Sequence, residues 1–153
     1  MKPKVGEKAP EIKGFDQDGK LISLEDFKGS KVILYFYPKD DTPGCTAEAC
    51  NLRDNYDDLL EKGFKIIGVS ADTAQSHKKF IAKYHLPFPL ITDPERKIIN
   101  KYGVWGKKKF MGREYDGIIR TTFIISENGM IEKVITEVKT KDHSDQILAE
   151  MGI

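Results

Sequence analysis

The sequence predicts an α/β protein: a mixed central β-sheet flanked by helices, with an N-terminal β-hairpin. Three observations carry that reading. Lys31–Tyr37 and Phe64–Ser70 are dominated by β-branched, aromatic and aliphatic residues, as strands buried on both faces are. Helix-like apolar spacing separates the strand-like runs, and βαβ order implies parallel pairing. Near the C-terminus Asn128-Gly129, a strong hairpin turn, joins two further apolar runs and adds antiparallel strands.

The elements follow in order. Glu11–Phe15 and Lys20–Ser23 form the hairpin around Asp18-Gly19. Ser23 is positioned to cap a short helical turn, Leu24–Phe27, that ends before Gly29. Pro38 stops the first buried strand. Thr42 as N-cap and Pro43 at the first helical position open a helix to Lys62, with Leu52, Tyr56, Leu59 and Leu60 apolar and Gly63 closing it. After strand Phe64–Ser70, Asp72 or Thr73 caps a helix to about Tyr84. Leu86-Pro87-Phe88-Pro89 resists helix, Phe88–Ile91 reads as a short strand, and Asp93-Pro94 opens a helix to about Tyr102. Gly103–Gly117, rich in glycine and basic residues, reads as a long loop. Thr121–Ser126 and Met130–Glu137 are the late antiparallel strands, and Asp142–Met151 is the last helix.

Length and composition narrow the function. At 153 residues the expectation is a single domain, 1–153. Charged residues make up 32% but the net charge is only +1, which argues against nucleic-acid or membrane-surface binding. Met1–Glu7 contains no apolar signal region, and no apolar run approaches the ~20 residues of a membrane span. A cytoplasmic protein is the simplest expectation. In a reducing compartment two cysteines point to redox or metal chemistry rather than to a structural staple.

Both cysteines lie in Pro38–Cys50, between the first buried strand and the helix after it. A helix start exposes unpaired N–H groups and a partial positive charge, which stabilise an anion such as a thiolate. Cys45 therefore reads as the reactive thiolate and Cys50 as its partner. The spacing is neither Cys-x-x-Cys nor that of a zinc site, which wants four ligands. His77, His85 and His143 lie far off in sequence and read as surface or helix-end residues. On one ideal helix the two Cα atoms would stand roughly 8.6 Å apart, beyond the ~7 Å a disulfide spans. A Cys45–Cys50 bond thus requires the first turns of the helix to unwind; a strained structural disulfide is the competing reading. Thr42 brings a hydroxyl to the same helix start, where a plain N-cap accounts for it equally well. Pro38 and Pro43 stiffen the loop and exclude water, or simply terminate elements. Arg120, a cation on an apolar strand, wants an anionic partner, either a thiolate or Glu48. Arg53 reads instead as an exposed ion pair with Asp54 or Asp57.

Pro38-x-x-x-Thr42-x-x-Cys45 is similar to the peroxiredoxin active-site signature, and the second cysteine in Gly44–Cys50 resembles the bacterioferritin comigratory protein, or peroxiredoxin Q, subfamily. The resemblance covers almost the whole chain: Gly6–Pro10, Val104-Trp105-Gly106 and Arg120-Thr121-Thr122-Phe123 match as well. It implies a thioredoxin-like fold and reduction of hydrogen peroxide or organic hydroperoxides. By position, Cys45 is then the peroxidatic cysteine, oxidised to a sulfenic acid, and Cys50 the resolving cysteine that closes an intramolecular disulfide. Thioredoxin or a similar dithiol protein reduces that bond. Thr42 and Arg120 hold the thiolate and the peroxide oxygens, and Pro38 shields the sulfur. No cofactor or metal is required, and a monomer is expected. A dithiol oxidoreductase acting on protein disulfides, and a non-enzymatic binding or holdase-type domain with a redox switch, are the competing functions.

Overall fold

A computed structural model describes residues 1–153. The strands are β1 (Lys13–Asp16), β2 (Leu21–Ser23), β3 (Lys31–Phe36), β4 (Phe64–Ser70), β5 (Leu90–Thr92), β6 (Trp105–Phe110), β7 (Arg113–Ile118), β8 (Thr121–Ile125) and β9 (Ile131–Ile135). The helices are α1 (Pro43–Asp54), α2 (Tyr56–Glu61), α3 (Ala74–Tyr84), α4 (Lys97–Lys101) and α5 (His143–Met151). Seven strands make one sheet in the order β2-β1-β5-β4-β3-β8-β9. β3, β4 and β5 run parallel, while β1, β8 and β9 pair antiparallel with their neighbours. This is the mixed sheet flanked by helices that the sequence predicts.

Strand periodicity divides the core in two. Val32, Leu34 and Phe36 of β3 enter one apolar cluster with residues of α4, such as Ile98 and Ile99, and with Tyr102 and Val104. Ile33 and Tyr35 enter the other with Tyr37, Cys45, Ala49, Leu52, Phe80 and Ile147, so α1, α3 and α5 cover that face. Gly68 of β4 lies between Tyr35 and Leu90 in the register. A Cβ there would stand 2.6 Å from Leu90 and 2.9 Å from the Tyr35 ring, so only glycine lets that ring cross the strand.

Several expectations are corrected. The helix over 43–62 is broken at Asn55, whose side-chain amide donates to the Asn51 carbonyl at 2.9 Å, a local bond that competes with the helical ladder. Gly103–Gly117 is not a loop: β6 and β7 form a separate antiparallel hairpin, turned by Met111 and Gly112 at φ 50° and 80°. Its largely exposed, polar residues carry no apolar alternation to announce a strand. Ser23 makes no side-chain cap, whereas Thr73 does, accepting from Ser76 N at 3.1 Å. The helix expected to open at Asp93-Pro94 begins at Lys97; the Asp93 carboxylate reaches forward to accept from the amides of Lys97 and Ile99. The strands expected at Phe88–Ile91 and Met130–Glu137 are displaced or shortened to Leu90–Thr92 and Ile131–Ile135. No helix is long and apolar enough to cross a membrane.

Candidate active site

The loop from β3 to α1 is fastened before it reaches the first cysteine. Pro38 is half-buried and follows the end of β3. The Tyr37 hydroxyl donates to Asp40 Oδ1 at 2.6 Å and the Ser76 hydroxyl to Asp40 Oδ2 at 2.8 Å. His77 Nδ1 meets the same Oδ2 at 2.7 Å, and the Asp40 amide donates to Asp72 at 2.9 Å. Asp41 takes a left-handed backbone, φ 56°, and is held by Lys83 at 2.8 Å and the Tyr84 hydroxyl at 2.9 Å. Thr42 stands at the N-cap position with extended backbone. Its hydroxyl donates to the Lys39 carbonyl at 2.8 Å instead of accepting from α1, so the first-turn amides of α1 lack a side-chain cap.

Cys45 is the third residue of α1 and is buried, with 1% of its surface exposed. Antiparallel register brings Arg120 to it: Thr121 pairs with Phe36, so the preceding residue stands where β3 ends and α1 begins. Arg120 Nη2 donates to Cys45 Sγ at 3.4 Å, and Nη1 to Glu48 Oε1 at 2.7 Å. Gly44 leaves room for this fork, since a Cβ there would lie 3.0 Å from Arg120 Nη2. Burial works against the guanidinium charge, but Cys45 and Glu48 together outweigh it and raise the Arg120 pKa.

Behind Glu48 lies a polar network that the sequence did not announce. His143, expected at the surface or at a helix end, is the first residue of α5 and is fully buried: its Nδ1 faces Gln146 Oε1 at 2.9 Å and its Nε2 faces the Thr122 hydroxyl at 2.8 Å. Gln146 Oε1 also accepts from the Lys139 amide, so it is an acceptor and His143 Nδ1 carries the proton. His143 Nε2 then accepts from the Thr122 hydroxyl, and Glu48 Oε2 faces the same nitrogen 3.4 Å away without a hydrogen bond. Two facing acceptors repel, which favours a proton on Glu48. Burial pushes its carboxyl up to about 7 despite Arg120, and pushes His143 down to about 4. The Tyr35 hydroxyl, also buried without a partner, is raised by burial and then by Glu48.

These shifts predict a masked pH dependence. Between its ordinary 4.5 and about 7, Glu48 binds its proton in the folded but not the unfolded state, so its contribution to stability falls as pH rises. Between about 4 and its ordinary 6.5, His143 is protonated only when unfolded, so its contribution falls as pH drops. The slopes oppose each other and cancel where they overlap. Glu48→Gln removes the first and should leave stability declining from pH 6.5 toward 4, by on the order of 2–3 kcal/mol. Urea denaturation across that range measures the decline; a Glu48→Gln profile as flat as the parent's would contradict a neutral, buried His143.

Cys50, the eighth residue of α1, is partly exposed, and both cysteines are free. Burial pushes the Cys50 thiol up, with Arg53 opposing and Asp54 adding. Arg53 pairs with Asp54 at 2.8 Å, as expected, and also donates to the Tyr84 carbonyl at 2.7 Å. His77 is a second histidine that proves buried, while His85 is exposed at the left-handed end of α3. Asp40, Asp72 and His77 bring potential ligand atoms within 4.8 Å of one another. Each is already engaged: Asp72 Oδ2 accepts from Ser70 and the Asp40 amide, and His77 Nε2 meets the Ile91 carbonyl at 3.0 Å.

Known proteins share this arrangement of chain. A model of the AhpC/TSA family matches residues 5–134. Peroxiredoxin Bcp of Escherichia coli (strain K12) is 45% identical over 145 residues, 95% of this chain and 93% of that protein. Peroxiredoxin Bcp of Bacillus subtilis (strain 168) is 45% identical over 148 residues, 97% of this chain and 94% of that one. The solved structure of Xanthomonas campestris bacterioferritin comigratory protein, described for its alkyl peroxide reduction activity, aligns with a TM-score of 0.88 at 31% identity, covering 97% of this chain and 98% of its own. Likeness on this scale shows the thioredoxin-like peroxiredoxin fold.

Proposed function

The chain belongs to the AhpC/TSA family and is a peroxidase of the peroxiredoxin kind, and on that footing we propose that Cys45 is its peroxidatic thiol, Cys50 its resolving thiol, and Arg120, Thr42 and Pro38 the residues that serve the reaction. The observation that carries the proposal is the Arg120 guanidinium, 3.4 Å from the sulfur of a buried cysteine at a helix start, with the second cysteine on the same helix. The Cys45 thiolate attacks one oxygen of a hydroperoxide, the O–O bond breaks, and the other oxygen leaves with both bonding electrons to be protonated as water or alcohol. Arg120 is placed to donate to the oxygen that gains charge. Thr42 commits its own proton to Lys39, so it offers lone pairs to the peroxide hydroxyl. Pro38 restricts water at the sulfur.

The sulfenic acid left on Cys45 then condenses with the Cys50 thiol, forming the disulfide and releasing water. Both cysteines lie on α1, so that helix must unwind locally, and one monomer suffices. Thioredoxin or a similar dithiol protein returns both thiols by disulfide exchange, which suits a reducing cytoplasm. Hydrogen peroxide and organic hydroperoxides are both substrates in this reading; the alkyl peroxide reduction described for the Xanthomonas relative supports the second class. Sub-stoichiometric hydrogen peroxide added to reduced protein should remove two free thiols per peroxide, and thioredoxin with its reductase should restore them. Inert thiols would leave a holdase-type redox switch, and disulfide exchange without peroxide a dithiol oxidoreductase.

A further inference from the structure

α5 begins without a cap of its own, because Asp142 makes no side-chain bond to it. The missing acceptor comes from another helix. The Ser144 amide, in the first turn of α5, donates to Asn51 Oδ1 of α1 at 2.7 Å. Asn51 Nδ2 in turn donates to the Lys141 carbonyl at 2.9 Å, and the Ser144 hydroxyl to the Asn51 carbonyl at 3.3 Å. Asn51 directly follows Cys50. On the other side of Cys50, Glu48 faces His143, the first residue of α5. The start of α5 is therefore bonded to α1 through Asn51, next to the second cysteine, and packs against Glu48 on its other side.

We infer that this first turn of α5 is a latch on the Cys50 segment and that Asn51 is the positioning residue which sets how readily it opens. The inference rests on the resolving role proposed for Cys50. An intact α1 holds the two cysteine Cα atoms roughly 8.6 Å apart, too far for a disulfide. Unwinding that brings Cys50 to Cys45 moves its neighbour Asn51, which breaks both side-chain bonds and leaves the Ser144 amide without its acceptor. A tight latch prolongs the life of the sulfenic acid. A second hydroperoxide then converts Cys45–SOH to Cys45–SO₂H, itself reduced to water or alcohol. A loose latch lets Cys50 arrive first, with loss of water.

The test uses the full chain, rapid mixing with hydrogen peroxide, acid quenching and mass spectrometry of the sulfenic, disulfide and sulfinic forms. Asn51→Ala should leave the second-order rate of the first oxidation within about twofold of the parent, since Asn51 is outside the Cys45–Arg120 contact, while disulfide formation becomes about five- to tenfold faster, the factor that two modest hydrogen bonds supply. The peroxide concentration needed to over-oxidise half the protein should rise by the same factor. Asn51→Asp keeps the acceptor for Ser144 but loses the donor to Lys141 O, and should fall between the two. Amide exchange at Ser144 in the reduced protein should increase in the same order. Disulfide formation at the parental rate in Asn51→Ala overturns the latch; should that variant not fold, the parental rate in Asn51→Asp overturns it. A parent protein that consumes peroxide without a Cys45–Cys50 disulfide overturns the resolving assignment instead, and the latch with it.

Discussion

Cys45→Ser is expected to abolish peroxide consumption, a loss of about 10⁴-fold or more, while the protein stays folded. A serine hydroxyl is almost wholly protonated at neutral pH and is a poor nucleophile toward the O–O bond. The fold should survive because serine is nearly the size of cysteine and Arg120 Nη2 already points at this position. Placing a hydroxyl in a site with 1% exposure should cost about 1–2 kcal/mol. The measurement is hydrogen peroxide consumed per minute with thioredoxin and its reductase present, beside Cys50→Ser. The second variant should still consume the first equivalent of peroxide, yet fail to cycle through an intramolecular disulfide. Consumption by Cys45→Ser at the parental rate would remove Cys45 from the chemistry. Normal thioredoxin-linked cycling by Cys50→Ser would remove Cys50 from the resolving step.

Arg120→Met should lower kcat/KM for hydrogen peroxide by about 10²- to 10³-fold, the usual consequence of removing a preorganised donor from developing negative charge. Methionine fills a similar volume, so the change isolates charge and hydrogen bonding. It takes away the contact with Cys45 and the 2.7 Å bond to Glu48 together. Glu48, fully buried, would then lose the one cation that holds its carboxyl down to about 7, and would become protonated at neutral pH. Protonation limits the stability loss, because no bare carboxylate is left inside. Arg120→Lys keeps the charge but loses the planar fork that holds sulfur and carboxylate in fixed geometry, so it should recover only part of the rate. Unchanged kcat/KM in both variants would show that the guanidinium is only structural.

The two variants probe residues that were legible to different degrees. Cys45, Cys50, Thr42 and Pro38 sit within thirteen consecutive residues whose order already spells buried strand, proline stop and helix start. Arg120 was legible as a cation out of place among apolar neighbours, and Glu48 as one of its two candidate partners. The structure shows Arg120 touching both. His143 was not legible. It lies 95 positions beyond Glu48 at the polar start of a short amphipathic helix, and nothing local distinguishes it from an exposed histidine. The β6–β7 hairpin was missed for the opposite reason. Its residues are mostly exposed, so no burial pattern marks them, and the backbone turn at Met111 and Gly112 sets its shape. The break at Asn55 follows from a side-chain-to-backbone bond that helical periodicity does not record.

By itself the sequence determined what depends on neighbours along the chain. Apolar runs fixed the central strands, Pro43 and Gly63 bounded a helical stretch, and the five-residue step between thiols required that helix to unwind before they can join. Tertiary structure alone decided what lies across the sheet. β8 pairing with β3 sets Arg120 against a sulfur 75 residues away, and α5 docking on α1 buries His143 behind Glu48 and lends Asn51 to another helix as its cap. The physical reason is that helix and strand patterns are written in steps of a few residues, whereas strand register and helix docking are chosen by how the whole core closes.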